Sequence, residues 1–373
     1  MQGAVSDLTF RRVGGRVNRF GARLGQANGL VVQDASFDGC MDPEKWWVSY
    51  VDIKGDNTPA VGVRKCGIDY GLSQHVEVSG GYFHDFFDSG LSEGAHDVEV
   101  HGVEFRTWDD AWQMYGSLYR IDLHDNLYIG AGPSRDGTGT TSANPFPGTL
   151  WIHDNIIDTT RYRLFCFRFG RSEDPTGIGW REPIPLSGHD VPTAGHWTIP
   201  WKFYYNTIVT GIPDLPLNSY VGLGQFGTAD ATVQAPHEVY NNIVVVRNGR
   251  ALDEEAWATT GAEIYDGNVY HGWGTPQSPT PRSIWRYLQT SAGLIDGDSP
   301  PGRIGDAATI HSLTGVWEGA GLSVDARLDA HTYKPQLVPG NAGIASGAVD
   351  LTHKGWPATQ VYKPWRGAVP VQL

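Results

Sequence analysis

Apolar residues fall on alternate positions in three successive stretches of the chain. Val76 and Val78 alternate with Glu77 and Ser79, Val98 and Val100 with Glu99 and His101, and Ile121 and Leu123 with Asp122 and His124. A period of two marks a strand with one face in a core and the other facing outward. The stretches also repeat one another. "VEVSGGYF" from Val76 and "VEVHGVEF" from Val98 begin 22 residues apart, and "IDLHDNLY", "LWIHDNII", "KFYYNTIV" and "HEVYNNIVV" continue the series from Ile121, Leu150, Lys202 and His237. A repeat this short cannot hold a pair of helices. It predicts one coil of a β-solenoid, each strand lying parallel on its predecessor at about 4.8 Å over a continuous Val/Ile/Leu/Phe core.

The repeats end at Asn126, Asn155, Asn206 and Asn242, with Val103 at the equivalent place one coil earlier. Stacked asparagines at a corner are expected to serve structure, because asparagine tolerates the left-handed backbone of a tight turn and its amide can bond along the stack. The steps lengthen from 23 to 29, 51 and 36 residues because loops such as "GPSRDGTGTTSANPFPG" and the span from Ser172 to Pro200 are inserted. His101, His124 and His153 form an outward row, read either as solvated surface or as ligand-binding positions. The pattern fades after "GAEIYDGNVYHGWG". Residues 1–275 are therefore expected to form the solenoid, and 276–373 a cap over its open end with an amphipathic helix at Thr309 to Ala320.

With 48 glycines and 23 prolines the composition favours many turns and a β-rich body, and no apolar run is long enough to span a bilayer. A formal charge of −13 argues against a nucleic-acid partner and disfavours anionic polymers. Cys40, Cys66 and Cys166 have no metal-like spacing, leaving one disulfide or three thiols open. "MQGAVSDLTF" carries no secretory pattern and already reads as strand, so the chain is expected to begin inside a coil. Nothing in the sequence sets an oligomeric state.

The asparagine-cornered repeats, with the tail "DAHTYKPQLVPGNAGIASGAVD", resemble the right-handed parallel β-helix proteins of the pectin-lyase-like superfamily over nearly the whole chain. That resemblance implies a fold, all-β and right-handed, and a secreted or cell-surface setting. It leaves activity open, since the superfamily includes polysaccharide lyases, glycoside hydrolases, epimerases, phage tailspikes and adhesins.

Within it, Asp88, the pair Asp109 and Asp110 in "TWDDAWQMYGS", and "RYR" at Arg161 and Arg163 resemble the order of catalytic residues in polygalacturonases. By that resemblance Asp88 and one of the pair activate water, the other is the acid, and the arginines grip substrate oxygens. The family's Gly-His-Gly is absent here, where "GAGPSRDG" stands instead. The residues themselves agree with such chemistry. At a 22-residue register Asp110 lies over Asp88, or Asp109 does after a one-residue slip. Clustered carboxylates push one another toward protonation, and inverting hydrolysis needs one protonated and one ionised carboxyl about 6.5–9.5 Å apart. Turn chemistry explains an aspartate pair equally well.

A lyase would instead use Arg161, Arg163 and Arg168 in "RYRLFCFRFGR", with Ca²⁺ held by Glu77, Glu99 and Asp122 to neutralise a uronate. Sugar faces stack on exposed aromatic rings, for which Trp151 and the loop residues Trp46, Trp47, Trp180, Trp197 and Trp201 are candidates, with His124 and His153 beside them. The leading expectation is a polysaccharide- or oligosaccharide-cleaving hydrolase that needs no cofactor. A uronate-specific lyase comes second, and a non-catalytic carbohydrate-binding or adhesive β-helix third.

Overall fold

The computed structural model describes residues 5–16, 20–23, 27–39, 66–69, 73–86, 89–92, 96–107, 110–114, 119–130, 133–135, 150–158, 167–168, 179–180, 201–210, 237–246, 256–257, 263–272, 287–290, 292–296, 306–352 and 363–370. The chain is a parallel β-helix with long insertions, and its contacts gather into two units. One comprises Met1–Trp151 with Ile157–Pro200, the other Ile152–Ile156 with Trp201–Leu373.

In the first unit each coil contributes a strand to each of three parallel ladders. Val5–Arg11, Ala27–Asp38, Gln74–Phe86, His96–His101 and Tyr119–His124 follow one another in the first. The ends of the long strands Ala27–Asp38 and Gln74–Phe86 turn into the second, which continues through Glu104–Thr107 and Leu127–Gly130. Phe20–Arg23, Cys66–Asp69, Ser89–Ser92, Asp110–Met114 and Pro133–Arg135 make the third.

The alternation seen in the sequence sets the core. Leu30, Val76, Val98 and Ile121 stack inward, as do Val32, Val78, Val100 and Leu123. Behind them Phe37, Phe83, Phe105 and Tyr128 stack ring on ring at 5.9, 5.6 and 5.2 Å between centroids. All four are buried, so this aromatic column adds ring–ring attraction to the burial of large apolar surfaces.

The corners correct the expectation about asparagine. The left-handed residue is the one before it: Asp125, Asp154, Tyr205 and Asn241 have φ of 54°, 56°, 52° and 56°, preceding Asn126, Asn155, Asn206 and Asn242. Gly267 precedes a fifth corner asparagine, Asn268, with φ 69°. Earlier coils place Arg12, Asp34, Gly80 and Gly102 at the same corner, all with positive φ. Aspartate, asparagine and glycine tolerate this conformation, which explains why Asp recurs there. At Gly81 (φ 80°) a side chain is excluded outright, since a Cβ would stand 1.9 Å from the Ala35 carbonyl oxygen.

Two parallel ladders run through the second unit. Trp201–Tyr204, His237–Tyr240 and Glu263–Asp266 form one, and Thr207–Thr210, Ile243–Val246 and Val269–Gly272 the other. Here residues on both faces of a strand are buried, Phe203 with Tyr204 and Val239 with Tyr240.

The helix expected at Thr309 to Ala320 runs instead over Ala307–Thr314. The Asp306 side chain accepts from the Thr309 N–H at its start, and Gly315 ends it with φ 73°. Released from the helix, the chain lies along the last coil. Glu318 N donates to Tyr265 O, Leu322 N to Asn268 O, and Tyr270 N to Leu322 O. The tail returns as well, and Arg366 donates to the carbonyls of Gly267, Ala320, Gly343, Ser346 and Gly347.

Candidate functional site

Of the side chains that strand alternation directs outward on the first ladder, Glu77, His101, Asp122 and His124 are half-exposed and Glu99 is exposed, which makes this outer face accessible. On the first ladder Glu77, Glu99 and Asp122 fall in one row, and Ser79, His101 and His124 in the next. The two rows are joined diagonally. His124 Nε2 lies 3.1 Å from Glu99 Oε1, and His101 Nε2 lies 3.7 Å from Glu77 Oε1, each imidazole reaching back to the carboxylate of the preceding coil. Strand spacing stacks the rings of His101 and His124 at 5.1 Å, with only 4° between their planes.

His124 is also held by Asp125, whose Oδ2 lies 2.9 Å from Nδ1. Burial pulls the imidazole down, but hydrogen bonds to Asp125 and Glu99 and the charges of Asp122 and Asp125 outweigh it and push its pKa up to about 9. At neutral pH His124 is therefore a fixed cation, unfit as a general base. The row can donate hydrogen bonds from imidazolium and accept them on carboxylates, which suits hydroxyl-rich ligands. Its acid excess repels anions. Among the described residues no group of three or more His, Cys, Asp and Glu is placed to hold a metal ion; Glu77 and Glu99 lie against His101 and His124, and Asp122 adds its charge beside His124.

The second ladder carries a polar group that the sequence reading missed. His84 pairs with Glu104 at 2.9 Å, the Tyr82 ring lies against His84 with centroids 4.4 Å apart and planes tilted by 30°, and Arg106 grips both oxygens of Asp85 at 3.1 and 2.7 Å. Burial and then Arg106 lower the His84 pKa against the opposing pull of Glu104 and Asp85. Its sequence trace is "YFH" at 82–84 aligned on "EFR" at 104–106 in the next coil.

On the third ladder Asp110 opens its strand in register with Ser89, one coil before it, and Ser89 with Cys66. The offset is 21 residues, the one-residue slip of the two alternatives. Asp88, Asp109, Arg161 and Arg163 lie outside the described residues, as do Cys40, Cys166, Trp46, Trp47 and Trp197. For Asp110, Arg168, Trp180, Trp201 and Cys66 only the backbone is described; across the antiparallel strands Phe167–Arg168 and Gly179–Trp180, Arg168 pairs with Gly179 and Trp180 with Phe167. Trp151 is half-buried, and its indole N–H is enclosed without a hydrogen-bond acceptor among the described residues.

His153 differs from the solvated row expected for it. It is buried in the second unit, stacks on Tyr204 at 4.7 Å, and has Nδ1 3.0 Å from Asp154 Oδ2. Asp154 in turn pairs with Lys363 of the returning tail, whose ammonium also lies 5.4 Å from the centre of the Tyr205 ring. These residues fasten the tail. Lys363 is 209 positions from Asp154, a separation at which no local pattern signals the pairing.

Compared with models of known protein families, with curated proteins and with solved structures, the chain matches none. Function is therefore read from the sites alone. No helix among the described residues is long and apolar enough to cross a membrane.

Proposed function

We propose that this protein cleaves glycosidic bonds of a polysaccharide by hydrolysis, as a member of the pectin-lyase-like group of β-helix proteins acting outside the cell. The observation that supports this reading is the parallel register of Asp110 on Ser89. Adjacent coils are about 4.8 Å apart, so carboxyls offset along the chain between neighbouring coils can approach the roughly 6.5–9.5 Å at which an acid and a base act on a glycosidic bond by inversion. In this reading Asp88, Asp109 and Asp110 supply the acid and the base, while Arg161, Arg163 and Arg168 bind substrate oxygens.

The outer row of Glu77, Glu99, Asp122 and His124 supports a sugar polymer lying along the coils, because it offers hydroxyl-binding groups at the strand repeat. Its acidic balance, with the chain's charge of −13, favours a neutral polymer over a uronate. Hydrolysis on this reading needs no metal.

Single Asp→Asn changes at 88, 109 and 110 test the assignment against a neutral polysaccharide that the wild type degrades. At least two of the three should lose about 100-fold or more in turnover while keeping the wild-type circular dichroism and melting profile. Full activity in all three would remove the aspartates from the chemistry. Loss confined to Arg161→Ala or Arg163→Ala would favour elimination.

A further inference from the structure

The corner asparagines form a chain with a direction. Asn155 donates its backbone N–H and its Nδ2 to Asn206 Oδ1 at 3.0 and 3.1 Å. Asn206 donates both to Asn242 Oδ1, and Asn242 both to Asn268 Oδ1. Asn268, in the last coil, has the same two donors and no further asparagine to receive them. Glu318 stands there instead. Its Oε2 accepts from Asn268 N at 3.2 Å, and its Oε1 accepts from Asn268 Nδ2 and from the Tyr270 hydroxyl, both at 2.7 Å.

The fit is bought with strain and burial. Glu318 has φ 52°, a conformation unfavourable for glutamate, and it is 2% exposed. A buried carboxylate is costly without a cation, and no basic side chain among the described residues forms an ion pair with Glu318. The groups around it are neutral or acidic: Tyr265, whose carbonyl accepts the Glu318 N–H, then Tyr240, Tyr270 and Asp266. Among the described residues, His311 and Arg366 both bond to backbone carbonyls. His311 Nδ1 bonds to Trp317 O, and the Arg366 guanidinium to Ala320 O and four others.

We propose that Glu318 is a protonation-controlled lock, which fastens the C-terminal segment to the last coil in acid and loosens it as the medium turns alkaline. When protonated, the buried site carries no charge, and the Tyr270 hydroxyl can turn from donor to acceptor for the new proton. Ionised, the same site holds a charge met by hydrogen bonds from Asn268 and Tyr270 but by no cation, with the charge of Asp266 opposing it. Burial is the main cause that raises the Glu318 pKa, to about 7, with Asp266 adding to it against the hydrogen bonds from Tyr270 and Asn268. Opening exposes the carboxyl to water, where its pKa returns to the ordinary range near 4.5. The closed state therefore binds the proton more tightly. Its advantage is complete below the open-state value and is lost as pH rises through about 7. The inference is independent of the carbohydrate reading.

Hydrogen exchange on the full chain tests it, read at the amides of Glu318, Leu322 and Tyr270 that join the segment to the coil. After correction for intrinsic exchange, protection at these amides should fall about tenfold between about pH 6 and about pH 8.5. Glu318→Gln keeps an acceptor oxygen and removes the titration, so its protection should be flat over that range. Should that variant fail to fold, Tyr270→Phe serves in its place. Removing a donor to the carboxylate should move the loss of protection to higher pH. Wild-type protection that does not change with pH, or a Glu318→Gln profile with the wild-type slope, would overturn the proposal.

Discussion

At the scale of single residues, the corner asparagines were legible and their geometry was not. Their recurrence in "HDN", "YYN" and "YNN" marks a structural stack, but the left-handed strain falls on the preceding residue, leaving each asparagine free to turn its amide inward. Asn206 Nδ2 donates to Ile152 O and Tyr204 O, while its own N–H and Nδ2 both reach Asn242 Oδ1. Asn206→Ala strands donors and acceptors on both neighbours in a buried setting, and should cost about 3 kcal/mol or more in denaturant unfolding. Glu318 had no signal in the sequence, because its partner Asn268 is 50 residues away. His124 makes a prediction of its own. Its ring resonances should titrate near pH 9, and Glu99→Gln should lower that midpoint. Since the folded value lies above the ordinary 6.5, the stability His124 adds is full below about 6.5 and is lost as pH rises through about 9.

At the scale of elements, alternation in "VEV", "VEV" and "IDL" was enough to place the inward and outward faces of the first ladder. The second ladder was harder to see, since Glu104–Thr107 and Leu127–Gly130 are too short to show a period. What fixes them is the column Phe37, Phe83, Phe105 and Tyr128, whose members lie one per coil and are read only after the coils are aligned. Phe105 touches rings above and below. Phe105→Ala should therefore destabilise the protein by about 3–5 kcal/mol, and Phe105→Leu by clearly less, in the same unfolding measurement. The tail behaves as an element too. Arg366 spends its donors on five carbonyls, a fixed fork that an ammonium cannot copy, so Arg366→Lys should lower the melting temperature almost as much as Arg366→Ala.

At the scale of the whole molecule, periodicity settled the architecture while the chemistry stayed less legible. A β-helix is a repeated solution to burying apolar rows, so many residues report on it together. A catalytic site rests on a few side chains brought together from different coils, and their alignment depends on register to a single residue, as the 21-residue offset of Asp110 from Ser89 shows. The accessible outer rows of the first unit, rich in carboxylates and imidazoles, agree with a neutral sugar polymer along the coils. The most direct test is product analysis after incubating the protein with a panel of neutral and uronate polysaccharides, with and without calcium. The account predicts new reducing ends from a neutral polymer, independent of calcium and without the ultraviolet absorbance of an unsaturated uronate. Reducing ends accompanied by that absorbance would replace hydrolysis with elimination, and binding without any product would contradict an enzymatic function altogether.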